Sequence, residues 1–273
     1  MILIKKLLRQ CLPIELRKKI FRLRRALFSK QHTFGNPSYS EDGLHSDHIS
    51  DFLNDPKFTS AYEFGIKNWR GSDKGQSIRY RAYIASWVAR QCLHTNGVFI
   101  EFGVGAGVIA GTIVKSLENK NLTLPKFFLF DSFSGIPMEV ATTAELSNIT
   151  RMNKLEYDYE YFELAKEKFS PFENVHLVKG NLPNTLLDFL TNSNSLLSNG
   201  ISFVSMDLNN AFSEIKCIEL IWDRISKNGI ILLDDYAYDE DFRAQKEAWD
   251  YFAKERNFEV LTLPTGQGLI IKP

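Results

Sequence analysis

Cysteine is scarce in this chain of 273 residues: Cys11, Cys92 and Cys217 are odd in number, far apart and form no CxxC pair. Such a set builds neither a disulfide framework nor a zinc site, and a reducing cytoplasm fits it. Long apolar runs are also missing, and nothing approaches the ~18–20 residues of a membrane span. The apolar start of the chain is interrupted by charges and lacks a small-residue cleavage site, which speaks against a signal peptide. Net charge is absent too. The 33 Lys+Arg balance 33 Asp+Glu, so no whole-molecule field draws nucleic acid, and no nucleic-acid partner is expected. There is no internal repeat or low-complexity tract. What remains, 44% hydrophobic and 24% charged residues, is the composition of a folded globular chain. Its length accommodates one large α/β domain plus an extension.

The balanced charge is unevenly spread. Residues 1–30 hold ten Lys/Arg and a single acid, Glu15, leaving 23 basic against 32 acidic residues in the remainder. Leu16, Ile20, Leu23 and Leu27 recur at helical spacing, among Arg17, Lys18, Arg22, Arg24 and Arg25. A basic amphipathic arm of this kind suits two roles. It can lie on an anionic membrane surface, at the inner face of the membrane for a cytoplasmic protein, or pack on the domain or on a second subunit of a homo-oligomer. Residues 31–55 are polar and turn-rich and read as a linker or loop, which leaves 56–273 as the main domain.

The stretch that orders this domain is Val98-Phe-Ile-Glu-Phe-Gly-Val-Gly-Ala-Gly107. Val98–Phe102 reads as a buried parallel strand, and it runs through Gly103, Gly105 and Gly107 into a helical segment from Val108. Strand, glycine loop and helix open a nucleotide-binding βαβ unit. A dinucleotide fingerprint would carry its third glycine at position 108, which is Val108. The pattern is therefore GxGxG with an acid, Glu101, two residues ahead. That form suits S-adenosylmethionine (SAM), which has no pyrophosphate to seat on a helix N-terminus; an ordinary tight strand–helix turn is the plainer reading. Further strands are expected at Lys126–Asp131, Val175–Gly180, Ile201–Asp207, Gly229–Asp235, Phe258–Leu263 and Gly268–Lys272, with helices between them. The alternation predicts an α/β fold, a doubly wound, mostly parallel seven-stranded sheet with an antiparallel edge strand. Asp131 lies where the acid that holds a ribose diol sits in such folds, with Ser132 beside it. Glu101, Phe102 and the glycines would shape the rest of that cofactor site. Asn181, after the third strand, suits either the neighbourhood of an adenine or a helix cap.

Ligands of open α/β sheets bind outside the carboxyl ends of the strands, and four of these strands end in or beside acids: Glu101, Asp131, Asp207 and the pair Asp234-Asp235. A carboxylate cluster is costly unless a cation neutralises it, and carboxylate oxygens suit hard ions such as Mg2+. Arg79 and Arg81, on a helix expected over Ser77–Leu93, suit either the SAM carboxylate or plain solvated surface. His45 and His48 fall in the early loop without a supporting pattern.

Six ordered motifs carry a resemblance. They are Glu101-Phe-Gly-Val-Gly-Ala-Gly107, Phe130-Asp-Ser-Phe-Ser-Gly-Ile-Pro137, Val178-Lys-Gly180 with Thr185-Leu186, Phe203-Val-Ser-Met-Asp207, Leu233-Asp-Asp-Tyr236 and Leu263-Pro-Thr-Gly-Gln-Gly268. Over roughly residues 55–273 the chain resembles the macrocin O-methyltransferase family, the TylF-type, metal-dependent sugar O-methyltransferases, of class I SAM-methyltransferase fold. The resemblance implies Mg2+ ligands at Asp207, Asp234 and Asp235, with Asp207 also the proposed general base. It implies a small-molecule or glycan substrate, methylated on a sugar hydroxyl. At one point the chain departs from the family. The usual Ile-Asp-x-Asp-Leu-Tyr is Met206-Asp-Leu-Asn-Asn-Ala211 here, so Asn209 keeps the shape and loses a charge. A nicotinamide oxidoreductase and a non-catalytic SAM-fold binding protein are the competing readings. Val108 and the lack of a Tyr-x-x-x-Lys oppose the first, and the acid at each of four strand ends opposes the second.

Overall fold

The computed structural model describes residues 37–155 and 161–273, together with Leu16, Lys19 and Leu23. Those three are helical, and otherwise the basic arm lies outside the described residues. The polar stretch read as a linker holds a small antiparallel hairpin, β1 (Tyr39–Glu41) and β2 (Leu44–Ser46). Asp42 and Gly43 join the strands with φ of 49° and 77°. Positive φ at both central residues is the twist-matched hairpin turn that Asp-Gly favours.

Three helices follow: α1 (Pro56–Ile66), α2 (Arg70–Asp73) and α3 (Arg79–Cys92). Asp55 caps the first, accepting from the Lys57 amide at 2.9 Å, with Pro56 pre-set for the first helical position. The main sheet is then laid down in alternation. β3 (Val98–Phe102) leads to α4 (Val108–Asn119), and β4 (Phe127–Asp131) leads to α5 (Leu146–Leu155) and α6 (Tyr161–Phe169). β5 (Val175–Lys179) precedes α7 (Asn184–Asn192), and β6 (Ile201–Met206) precedes α8 (Ala211–Ile221). β7 (Ile225–Leu233), α9 (Arg243–Glu255), β8 (Leu261–Thr262) and β9 (Gly268–Ile271) close the chain. The loop that leaves β4 therefore ends at Leu146, where α5 starts.

The strands form a seven-stranded sheet in the order β5-β4-β3-β6-β7-β9-β8. β3 pairs in parallel with β4 on one side and β6 on the other, and β9 runs antiparallel to both β7 and β8. This is the expected doubly wound, mostly parallel sheet with its antiparallel pairing at one end. Parallel strands covered on both faces need apolar residues throughout, and β3 and β6 are buried at every position. One face of β3 (Val98, Ile100, Phe102) packs with Leu186, Ile218 and Trp249 from α7, α8 and α9. The other face, through Phe99, packs with Val88, Ile113 and Phe169 from α3, α4 and α6. The winding reverses between β3 and β6, which sets the crevice for a ligand at the carboxyl ends of those two strands.

Candidate active site

Two glycines let the chain turn at that crevice, for different reasons. A Cβ on Gly103 would sit 1.8 Å from the Asp207 carbonyl oxygen, so β3 and β6 approach closely only because no side chain intervenes. A Cβ on Gly105 would meet nothing within 4 Å, and its φ is +50°. That backbone faces open cavity. Asp131, at the end of β4, locks the loop: its Oδ2 accepts from the Val104 and Gly105 amides at 2.6 and 2.8 Å, and its Oδ1 accepts from the Phe133 amide at 2.6 Å.

A cavity of about 790 Å³ opens above the strand ends. Glu101, Gly103, Gly105, Asp131, Ser132, Asp207, Asp234 and Asp235 all line it, as do Ser40, Glu41, Asp42 and Gly43 of the hairpin. Phe102, wholly buried in the sheet, does not, and Gly107 packs against Phe169 instead. Asn181 is exposed and its carbonyl accepts from Thr185, while its neighbour Leu182 reaches the cavity wall. His45 bonds Ser40 through Nδ1 and lies off the wall.

Glu101 is 2% exposed, and its Oε2 has no hydrogen-bond partner. Burial pushes its carboxyl well above the usual range, and the Asp234 and Asp131 charges add to the push. Asp207, Asp234 and Asp235 each present a carboxylate oxygen, and these atoms lie within 4.8 Å of one another. Backbone pairing brings them together: the Asp207 amide donates to Phe102 and the Asp234 amide to Met206, extending the parallel ladder past the strands. Burial raises the Asp207 carboxyl well above its ordinary value, and the Asp234 and Asp235 charges reinforce this. Asp235 is pushed up to about 7 by burial and by Asp234, with Arg81 opposing. Such a cluster calls for positive charge.

Part of that charge is Arg81, which is buried and not a solvated surface group. Its Nη1 donates to Asp234 Oδ2 at 2.5 Å and Asp235 Oδ1 at 3.1 Å, and its Nε donates to Asp42 Oδ2 at 2.7 Å. The Tyr238 hydroxyl donates to Asp42 Oδ1 at 2.8 Å, and the Tyr238 ring lies 4.4 Å from the guanidinium carbon. Burial pulls the guanidinium down, and Asp234, Asp235 and Asp42 more than offset this, holding it well above the ordinary arginine value. Gln267, fully buried in the closing turn, donates to Asp234 Oδ1 at 3.0 Å. Asn209 donates its Nδ2 to Asp207 Oδ1 at 2.9 Å from a left-handed backbone, φ 58°. The residue that loses a family charge thus supplies a donor that an aspartate could not.

Sheet order, glycine loop and the acids at the strand ends define a class I methyltransferase fold. A family model, Macrocin-O-methyltransferase (TylF), matches residues 84–262, more than half of the chain. The chain belongs to that family, and it is an O-methyltransferase that uses SAM. Among solved structures, CalS11, a calicheamicin methyltransferase, is 18% identical with a TM-score of 0.57, covering 70% of this chain and 78% of its own. An apo form of CalS11 is described as a TDP-rhamnose 3'-O-methyltransferase, at TM-score 0.52 and 17% identity over 70% of this chain and 79% of that one. The O-methyltransferase NovP is 17% identical with a TM-score of 0.56, over 70% and 79% of the two chains. At these identities the likeness shows the fold. No curated protein matches the sequence.

Proposed function

We propose that the chain transfers the SAM methyl group to a sugar hydroxyl of a glycosylated metabolite or cell-surface glycan, with Mg2+ or another divalent ion held by Asp207, Asp234 and Asp235. The observation that carries this reading is that the three-aspartate cluster and the glycine loop open into one cavity. The residues fit both groups. Three carboxylate oxygens within 4.8 Å of one another are the hard donor set that suits Mg2+. The unpartnered Glu101 Oε2 and the open space over Gly105 suit a ligand that brings hydrogen-bond donors to the loop. SAM supplies an electrophilic methyl group, and a divalent ion supplies polarisation of the acceptor hydroxyl. TDP-rhamnose, the substrate named for CalS11, is an acceptor of this chemical class.

The roles follow from the contacts. A sugar hydroxyl is a poor nucleophile near neutral pH, so its proton must leave as the new C–O bond forms and the S–CH3 bond breaks, the electron pair staying on the departing thioether sulfur of S-adenosylhomocysteine. Asp207 accepts that proton: Asn209 occupies its Oδ1 and leaves Oδ2, and Asp207 lines the cavity. Gln267 fixes Asp234, and Asp131 fixes the backbone of the glycine loop in place of reaching outward with both oxygens. Glu101, Gly103, Gly105, Asp131 and Ser132 form the wall for SAM. Phe102 and Gly107 shape the loop from behind, and Asn181 stands outside the wall.

Methyl transfer from labelled SAM to a panel of nucleotide sugars and glycans, with and without EDTA, tests this. Metal-dependent labelling of a sugar is expected; full activity of a demonstrably metal-free enzyme would refute the metal reading. No helix among the described residues is long and apolar enough to cross a membrane. The basic arm is proposed to hold a cytoplasmic enzyme against the inner face of the membrane. Full-length protein should co-sediment with anionic liposomes at low salt and a form starting near residue 35 should not. A change of oligomeric state on truncation would identify a homo-oligomer contact in its place.

A further inference from the structure

The carboxylates proposed to hold a metal already hold a cation, and it belongs to the protein. Arg81 is 5% exposed, and its Nη1 lies on Asp234 Oδ2 and Asp235 Oδ1, the acids of the proposed metal set. With Gln267 on Asp234 Oδ1, both oxygens of Asp234 are engaged. A divalent ion has to share or replace the Arg81 contact. The guanidinium is not stranded if it yields, because its Nε is separately bonded to Asp42, which Tyr238 orients from the far side. A buried cation that lost every partner would be strongly unfavourable, and Asp42 prevents that. Neither Arg81 nor Asp42 falls within the span matched by the family model, residues 84–262.

We propose that Arg81 is the resident counter-cation of the Asp207–Asp234–Asp235 cluster and that its guanidinium competes with the divalent ion for Asp234 and Asp235, falling back on Asp42 when the ion binds. This rests on the metal reading above. Two consequences follow. The cluster is partly neutralised without metal, so the chain keeps these acids close before an ion arrives. Affinity for the ion is set below what three bare carboxylates would give, because one positive charge must be displaced or tolerated a few ångströms away.

The test is Mn2+ binding by isothermal titration to the full-length protein, wild type against Arg81→Met, in the absence of SAM and substrate. The variant should bind Mn2+ at least about tenfold more tightly, from loss of one opposing charge at close range. Mn2+ binding to wild type with equal or weaker binding to Arg81→Met overturns the competition and leaves the metal reading standing. No binding to either form overturns both. A second measurement needs no variant: 15N NMR of the arginine Nε–H groups of wild type, with the Arg81 signal assigned by its nuclear Overhauser effects to the Tyr238 ring, 4.4 Å from the guanidinium carbon. Addition of Mg2+ should shift the Arg81 signal while it stays protected from solvent exchange, as retention of Asp42 requires. An Arg81 signal unmoved at saturating Mg2+ overturns the proposal.

Discussion

Gly103 and Gly105 sit two residues apart in one loop, both at positive φ, yet replacing them should fail in different ways. Alanine at either site takes a left-handed backbone, which costs about 1–2 kcal/mol. At Gly105 that is the whole cost to the fold, since its Cβ would meet nothing within 4 Å. At Gly103 the new Cβ would lie 1.8 Å from the Asp207 carbonyl oxygen. Contact at an ordinary distance requires the two segments to part by about 1.5 Å. Neither segment is free to move, because the Asp207 amide bonds Phe102 and β3 and β6 are paired along their length. Overpacking of this kind adds about 1–3 kcal/mol, so Gly103→Ala should cost about 2–5 kcal/mol against about 1–2 for Gly105→Ala. Urea unfolding followed by circular dichroism measures both. SAM titration then separates them by function. Gly105→Val should remain folded and bind SAM at least about tenfold more weakly, as a branched side chain fills the space over the loop. Equal stability of the two alanine variants would refute the account of the β3–β6 approach. An intact Gly105→Val with unchanged SAM affinity would place the cofactor elsewhere.

Other expectations concern the acids. Asp234→Asn or Asp235→Asn should nearly abolish turnover and leave SAM affinity by titration within a few-fold, because these side chains are proposed to hold the ion that addresses the acceptor. Asn209→Asp exchanges the donor on Asp207 Oδ1 for a further carboxylate; metal-free protein should lose thermal stability, and Mn2+ titration should show tighter binding. Glu214, 4% exposed, is pushed up from 4.5 to about 7 by burial, although Trp249, Gln245 and Leu208 donate to it. A raised carboxyl stabilises the fold fully below about 4.5, and that stability is lost as pH rises through about 7, worth roughly 3 kcal/mol in total. Urea midpoints of the EDTA-treated protein should therefore fall between pH 5 and 8, and Glu214→Gln should show a shallower fall; identical slopes would exclude Glu214 as the source.

The parts of this molecule that the sequence made legible are those whose logic is local. The glycine loop, the apolar strands and the acids that end them are read from neighbours in the chain, and the structure brings Glu101, Asp131, Asp207, Asp234 and Asp235 to one cavity. The hairpin at 39–46 escaped because strands of three residues are too short for an alternation to detect, although Asp42-Gly43 is a recognised turn pair. Asp131 was placed by its spacing, but spacing could not show that loop amides would take both of its oxygens. Arg81 is the instructive case. Its partner Asp234 is 153 residues away, so no local pattern names the pair. A signal existed on the helix itself, since Arg81, Ala85, Val88 and Cys92 are all buried at the i, i+4, i+7 spacing of one face. An arginine heading an apolar stripe needs buried acids to meet it, and the strand ends supplied acids without a cation. Each half was unexplained alone. Joined through the sheet order, they show that the aspartates proposed for the metal are also the aspartates that let helix α3 bury its arginine. The same side chains that dock α3 against the sheet therefore also line the cavity at its carboxyl edge.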